Sequence, residues 1–141
     1  MTLQDKIHDY ATKHEDELLR LLTTCTELPS PTGKEGPKAQ WILEELRSIG
    51  IHDAYIDTAS NVIVPYGIQK DRLAPAYGAH IDTVFSEKVI HSHIEGNIFS
   101  APSCSDNSAN VASLLFFIKM VVDLGITLPH GAWFVFDVGE E

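Results

Sequence analysis

Three short segments carry acidic or imidazole side chains at or just beyond the end of an apolar, strand-like run. They are His80-Ile81-Asp82, Ser105-Asp106-Asn107 and Gly139-Glu140-Glu141. Imidazole nitrogens and carboxylate oxygens are ligands of divalent metals, and carboxylates also transfer protons. In open α/β sheets ligands bind at the carboxyl ends of the strands, so the position of these residues matters as much as their type.

The first segment pairs a histidine with an aspartate two residues later. Side chains two apart in an extended chain point to the same side, so Asp82 can reach the imidazole of His80. A carboxylate that accepts one ring N–H fixes the tautomer and leaves the other nitrogen free to bind a metal. The alternative is an ordinary hydrogen bond at a strand end, which this fragment alone favours because His-x-Asp is common by chance.

The second segment lies where a helix is predicted to begin. Asp106 is therefore either an N-cap that satisfies backbone donors or a carboxylate shared between two cations. Cys104, two residues earlier, could be a reactive thiol. A cysteine hydrolase also needs a paired histidine and an orienting residue, which the sequence does not assign.

The third segment places two adjacent carboxylates after a buried strand. Such a pair is costly there unless a cation balances it. One of Glu140 and Glu141 could bind a metal, and the other could take a proton from a metal-bound water. The alternative is a solvated acidic terminus.

The hydrophobic pattern predicts the elements that position these segments. Helices are predicted over 3–27, 34–49 and 107–124, and strands over 54–56, 62–64, 76–81 and 133–138, with a hairpin turn at Gly96-Asn97. The uncharged run before His80 is typical of an inner strand covered on both faces. Helices followed by strands, a helix and a strand indicate an α/β or mixed fold in one domain.

The start of the second helix has its own signals. Thr32 and Glu35 fit a capping box, in which the two side chains close the open backbone donors of a helix start. Pro37 places the first turn a residue or two later than position 34. Thr32-Gly33-Lys34 does not have the spacing of a phosphate-binding loop.

The composition excludes several classes of partner. The 141 residues include 10 basic and 20 acidic side chains, a net charge of −10, so neither nucleic acid nor an anionic membrane surface is expected as a partner. No apolar run approaches the ~20 residues of a membrane helix, no secretory signal is recognised, and two cysteines make no disulfide framework. We expect a soluble, cytoplasmic protein. His91 and His93 could chelate a metal, but exposed histidines are favoured because no carboxylate motif accompanies them.

Together these motifs resemble a known family. The chain is similar to the co-catalytic di-zinc peptidases and deacylases, which include acetylornithine deacetylase, succinyl-diaminopimelate desuccinylase, glutamate carboxypeptidase and tripeptide aminopeptidase. The matching segments are Ser30-Pro31-Thr32-Gly33-Lys34-Glu35, His80-Ile81-Asp82-Thr83-Val84, Ser105-Asp106-Asn107 with Val111-Ala112, and Gly139-Glu140-Glu141. The resemblance covers essentially the whole chain and implies an incomplete three-layer α/β sandwich with a largely parallel central sheet.

The resemblance also implies a role for each site residue. His80 would bind one zinc ion, Asp82 would orient His80, and Asp106 would bridge both zinc ions and precede a cis peptide bond. Glu140 would be the general base and Glu141 would bind the second zinc ion. Co²⁺ or Mn²⁺ could serve the same ligands.

The implied reaction is hydrolysis of an amide bond in a short peptide or an N-acylated amino acid. A metal-bridging water would lose its proton to Glu140 and attack the carbonyl group, and Glu140 would then return the proton to the leaving amine. Two alternatives stay open. One is a catalytically incomplete fragment that keeps the fold and acts by metal binding or association, and the other is a metal-free α/β binding module.

The chain departs from the family in length. Members are several times longer and supply a further acidic ligand, a distant histidine and a lid or dimerisation domain. We therefore expect residues 1–141 to be the N-terminal portion of a catalytic domain, with two protein ligands for each zinc ion. The strand over 133–138 would then have an unprotected edge, which predicts self-association.

Overall fold

The structure is a computed structural model that describes residues 1–86 and 88–141. Within these residues, four helices and six strands follow one another. They are α1 (Leu3–Lys13), α2 (Glu15–Glu27), α3 (Gly36–Ser48), β1 (Tyr55–Ile56), β2 (Val62–Tyr66), β3 (Ala76–His80), β4 (His93–Glu95), β5 (Ile98–Ser100), α4 (Ala109–Asp123) and β6 (Ala132–Asp137). A kinked turn, Cys104–Ser108, leads into α4, and the backbone of Asp106 and Asn107 within it is not helical.

The sequence predicts one continuous helix over 3–27, but the structure has two helices there. The prediction of a single helix was therefore wrong. His14 leaves the helical conformation, with φ −115° and ψ 25°, and separates α1 from α2. The first turn of α2 holds three acidic residues, which favour a helix start because the N-terminal end of a helix dipole is positive. Periodicity alone misses this break, since the apolar spacing continues through it.

The capping box predicted for α3 does not form. The N-cap is Glu35, no side chain caps the helix, and Pro37 occupies the first turn. The Glu35 carboxylate accepts a hydrogen bond from the backbone N–H of Gly33 at 2.7 Å. The hydroxyl of Thr32 points to another part of the chain, so a local pattern was overridden by a tertiary contact.

The α/β class is confirmed, and the part of the sheet that these residues form is mixed. Its strand order is β1-β2-β6-β3. β3 and β6 are parallel, whereas β1 pairs with β2 and β2 pairs with β6 in antiparallel fashion. A short turn joins the antiparallel strands β1 and β2, whereas a long crossover that contains α4 joins the parallel strands β3 and β6, as parallel pairing requires.

The core lies on one face of the sheet. Val62, Val64, Phe134 and Phe136 on this face are fully buried and belong to one cluster with apolar side chains of α3 and α4. Side chains on the opposite face, including those of Ile63, Trp133 and Val135, are only half-buried. The described residues therefore form a strand layer and a helix layer, which are two of the layers of the incomplete sandwich that the resemblance implies.

Two expectations about individual strands were wrong. β3, expected to be an inner strand covered on both faces, is an edge of the described sheet, and its first three residues are exposed. β6, expected to have an unprotected edge, is paired on both sides because it inserts between β2 and β3. The hairpin at Gly96-Asn97 is confirmed as the β4–β5 pair. No helix among the described residues is long and apolar enough to cross a bilayer.

Candidate metal centre

The parallel pair β3–β6 brings two of the three motifs to one edge of the sheet. His80, the last residue of β3, is in register with Asp137, the last residue of β6. The backbone N–H of Ile81 donates to the carbonyl oxygen of Asp137 at 2.8 Å and extends the pairing. The carboxyl ends of the two strands therefore meet, and Glu140 and Glu141 follow within a few residues of His80.

His80 lies between the other two acidic segments. Its Nδ1 atom is 3.2 Å from the carbonyl oxygen of Asp82 and 3.5 Å from the Asp82 carboxylate. Its Nε2 atom is 3.0 Å from Oδ1 of Asp106 and 3.9 Å from Oε2 of Glu140. Burial acts to lower the pKa of His80, but hydrogen bonding to Asp106 and Asp82 and the nearby Glu140 carboxylate outweigh it, so the pKa is raised.

Asp82 is fully buried, and both oxygen atoms of its carboxylate accept hydrogen bonds. Oδ1 accepts from the backbone N–H of Glu140 at 3.1 Å, and Oδ2 accepts from the backbone N–H of Glu141 at 3.0 Å. Oδ2 also accepts from the Thr32 hydroxyl at 3.0 Å. Burial acts to raise the pKa of Asp82, but these hydrogen bonds favour the ionised form and hold the pKa below its usual value.

Asp106 stands at the mouth of the site. Its side chain is 75% exposed, and the peptide bond to Asn107 is cis, as the resemblance implies. The side-chain amide of Asn107 donates to the carbonyl oxygen of His80 at 3.4 Å and also contacts Asn110. Asp106 is not an N-cap: α4 begins at Ala109, and no side chain caps it.

The donor atoms suit a divalent cation. One atom each from His80, Glu140 and Glu141 lie within 4.8 Å of one another. Asp106 Oδ1 is 3.0 Å from His80 Nε2, close to the separation of about 3.4 Å between two tetrahedral zinc ligands. An imidazole among carboxylates fits zinc, cobalt or manganese. Both glutamates lie within this group of donor atoms. Which of them is the general base and which binds the metal therefore stays a prediction.

Two residues beside the site were not recognised from the sequence. Thr32 was interpreted as a helix cap, whereas its hydroxyl donates to Asp82. Asn107 was noted only as the residue after Asp106, whereas its side chain contacts the backbone of His80. The signal for both was their place inside the motifs of the resemblance, but the local sequence does not indicate which atoms they contact.

A buried cation also lies near the site. Lys38 on α3 is 1% exposed. Burial lowers the pKa of Lys38, while the nearby Cys25 and the Asp82 carboxylate act in the opposite direction. The apolar spacing of α3 did not predict a buried lysine.

The other candidates from the sequence lie outside this centre. Within residues 1–86 and 88–141, no other group of three or more histidine, cysteine or acidic side chains lies close enough to share a cation. His91 and His93 are exposed. Cys25 is buried and Cys104 is half-buried, and both are free thiols.

Solved structures define the class of protein to which this fold corresponds. A tripeptidase from Staphylococcus aureus superposes with a TM-score of 0.76 at 19% identity, over 89% of this chain and 37% of that one. A Bacillus subtilis protein described as a dinuclear metal-binding peptidase of the M20 family gives a TM-score of 0.59 at 14% identity, over 92% of this chain and 36% of that one. The chain has the fold of part of the catalytic domain of such peptidases.

A protein that is similar in sequence is also named as a hydrolase. A Pyrococcus abyssi protein, provisionally named a LysW-lysine/LysW-ornithine hydrolase, is 36% identical over 104 residues, which are 72% of this chain and 29% of that protein. No protein-family profile matches the sequence. The chain thus spans less than a third of this relative. The resemblance to this group of peptidases is confirmed, and the relative and the structural neighbours are named as a hydrolase and as peptidases.

Proposed function

We propose that residues 1–141 are the N-terminal portion of the catalytic domain of a metal-dependent hydrolase that cleaves an amide bond. The observation that carries the proposal is the convergence of His80, Asp106, Glu140 and Glu141 at the joined ends of β3 and β6. The remaining ligands and a lid or dimerisation domain would come from outside these residues. The proposed compartment is the cytoplasm.

Each residue has a proposed task. His80 would hold one zinc ion, Glu141 the other, and Asp106 both, with cobalt or manganese as possible substitutes. The chemistry that the ions supply when bound is polarisation of the scissile carbonyl group and a lower pKa for the attacking water. Asp82 would keep the imidazole of His80 in place, since its carbonyl oxygen and its carboxylate both lie beside Nδ1 and leave Nε2 free to face the cation.

Glu140 is the proposed general base. Its side chain is 58% exposed at the mouth of the site, and Oε2 lies 3.9 Å from His80 Nε2, so a water could stand between it and the cation site. The carboxylate would accept the proton of the attacking water and return it to the leaving amine. The backbone N–H of Glu140 is bound by Asp82, which holds this residue near His80.

The proposed substrates are short peptides or N-acylated amino acids. Support comes from the names of the relatives: a tripeptidase among the structures, and a hydrolase of lysine or ornithine linked to LysW among the sequences. Both names describe hydrolysis of a compound that contains amino acids. Aminopeptidase, carboxypeptidase and deacylase activities are therefore the reactions to assay.

The decisive experiment counts metal ions and then measures hydrolysis. We expect about two zinc, cobalt or manganese ions per chain by elemental mass spectrometry, and loss of metal in Asp106→Ala but not in the exposed control Asp53→Ala. Glu140→Gln should keep the metal and lower the hydrolysis of a peptide and acyl-amino-acid panel by about 1,000-fold. Chains that bind no metal would contradict the proposal.

A second candidate is a catalytically incomplete fragment that acts by metal binding or association. It is favoured by the ligand set of the described residues, in which each ion would have two protein ligands with Asp106 shared, whereas catalytic zinc sites usually have three. Full metal occupancy without any hydrolysis by the 141-residue chain would support it. Hydrolysis that is lost in Glu140→Gln would exclude it.

A further inference from the structure

The segment before α3 is held against the chain that leads out of β3. The Ser30 hydroxyl donates to the carbonyl oxygen of Ile81 at 2.6 Å, and the backbone N–H of Thr83 donates to the carbonyl oxygen of Ser30 at 3.0 Å. Pro31 and Thr83 form a parallel bridge. Ser30 is fully buried and Thr83 is 2% exposed. Thr32 directly follows Pro31. Its position is therefore set by the contacts of Ser30 and Pro31 with the two neighbours of Asp82 in the chain.

Thr32 makes a contact that helix capping does not explain. Its hydroxyl donates to Oδ2 of Asp82 at 3.0 Å, and the helix begins beyond it without a side-chain cap. The other hydrogen-bond donors to the Asp82 carboxylate are the backbone N–H groups of Glu140 and Glu141. Thr32 therefore donates a side-chain hydrogen bond to this carboxylate from a part of the chain that lies outside the acidic segments.

The Thr32 hydroxyl can influence His80 because both contact the carboxylate of Asp82. Oδ2 is held by Thr32 and Glu141, and Oδ1 faces both the Nδ1 atom of His80 and the N–H of Glu140. Rotation of the carboxylate about its last torsion would break all of these contacts together. A donor on Oδ2 therefore fixes the direction of Oδ1, which lies 3.5 Å from Nδ1 of His80. Together with the carbonyl oxygen of Asp82, 3.2 Å from the same nitrogen, Oδ1 favours a proton on Nδ1 and so acts on the tautomer and orientation of the imidazole.

We propose that Thr32 is a positioning residue of the metal centre, which acts through the Asp82 carboxylate on the His80 imidazole. This inference rests on the proposed function, because it assigns Thr32 a part in preparing Nε2 of His80 for a cation. The hydroxyl is the group that matters, and the methyl group of Thr32 is dispensable. Serine should therefore replace threonine, whereas the isosteric valine should not.

The test compares Thr32→Val with Thr32→Ser, with the exposed Thr127→Val as the matched control. Affinity for Zn²⁺ is measured by competition with a chromophoric chelator. We expect Thr32→Val to lower the affinity by about 10-fold or more, as the loss of a hydrogen bond behind a metal ligand commonly does, while Thr32→Ser and Thr127→Val bind like the parent chain. Equal affinity in all four proteins, or failure of serine to restore binding, would overturn the proposal.

A second measurement separates this inference from the proposed function. In the metal-free chain, the ring-nitrogen chemical shifts of His80 report its tautomer and hydrogen bonding. Thr32→Val should change the Nδ1 shift and Thr32→Ser should preserve it, even if the parent chain binds no metal. An unchanged shift in a folded Thr32→Val protein would overturn the role of Thr32 alone.

The role of Thr32 can be tested even without the valine variant. If Thr32→Val does not fold, Thr32→Ala and Thr32→Ser form the comparison, since they differ by the hydroxyl alone. Weaker zinc binding and an altered His80 shift in alanine but not in serine would support the proposal. Identical behaviour of the two variants would overturn it.

Discussion

Asp82 shows how much of this site depends on a single side chain. Its two oxygen atoms contact the N–H groups of Glu140 and Glu141, the hydroxyl of Thr32 and the ring of His80. These residues come from three distant parts of the chain. A buried carboxylate is tolerated because each oxygen has hydrogen-bond donors, which offset the loss of hydration.

At the same scale, Gly131 is required by close backbone contact. Its φ of +70° is in the left-handed region, and a Cβ atom there would lie 2.7 Å from the carbonyl oxygen of Tyr66 and against the carbonyl group of Gly67. We expect Gly131→Ala to lower the free energy of unfolding by about 3 kcal/mol, because the clash adds to the strain of a positive φ. Urea denaturation followed by circular dichroism measures the change.

Gly125→Ala is the matched control for that prediction. Gly125 also has a positive φ, of +61°, but no atom lies within 4 Å of the position of its Cβ. Its substitution should cost about 1 kcal/mol, from the backbone conformation alone. Equal losses in the two variants would show that the contact with Gly67 is not the cause.

At the scale of elements, α1 is attached to the fold by packing and by one polar contact. Tyr10 is buried, its ring packs near Phe116, and its hydroxyl donates to Oδ2 of Asp123 at 2.6 Å. Asp123 ends α4 and also accepts from Lys119 at 3.0 Å. The contact between Tyr10 and Asp123 therefore joins the first helix to the crossover helix that leads into β6.

We expect Tyr10→Phe to lower the free energy of unfolding by about 1.5 kcal/mol at pH 7, since a hydrogen bond to a charged acceptor is lost. The Tyr10 hydroxyl, followed by Lys119, holds the pKa of Asp123 below its usual value. This stabilisation is present above the ordinary aspartate pKa of about 3.9 and is lost as the pH falls through the lower pKa of the folded state. The difference between parent and variant should therefore shrink in acid.

Urea titrations at pH 7 and at pH 3 measure this difference. The control is Tyr55→Phe, because Tyr55 is 47% exposed. It should leave the stability unchanged at both pH values. A Tyr10→Phe deficit that is the same at pH 3 as at pH 7 would contradict the assigned role of Asp123.

At the scale of the whole molecule, the sheet presents an edge and a face that the described helices do not cover. β3 is an edge strand of the sheet, and Tyr77 on it is 49% exposed. Trp133 and Val135 on the opposite face of β6 are half-buried. Unpaired backbone groups beside exposed apolar side chains favour pairing with another chain.

We therefore expect the 141-residue chain to self-associate as its concentration rises. Tyr77→Lys, which places a charge on the edge strand, should shift the association to concentrations at least about 10-fold higher, as edge lysines oppose strand pairing. Light scattering over a concentration series measures the change. Ile98→Lys on the β4–β5 hairpin is the control, and a clean monomer of the parent chain at high concentration would contradict the prediction.

The sequence by itself determined the α/β class, most of the elements and the residues at the candidate centre. Apolar periodicity is a local property, so it located α3, α4 and four strands to within a few residues. The acidic and imidazole residues were recognisable because metal chemistry restricts which side chains can serve. The resemblance added the order of the motifs and the cis peptide bond after Asp106.

Only the tertiary structure decided how these parts meet. The sequence did not show that β6 inserts between β2 and β3, because strand order depends on contacts between residues distant along the chain. Nor did it show that Thr32 serves Asp82 rather than the start of α3, since a hydroxyl can satisfy either partner until the fold places one within reach. Short-range preferences therefore define the elements, whereas long-range packing selects among the contacts that those elements permit.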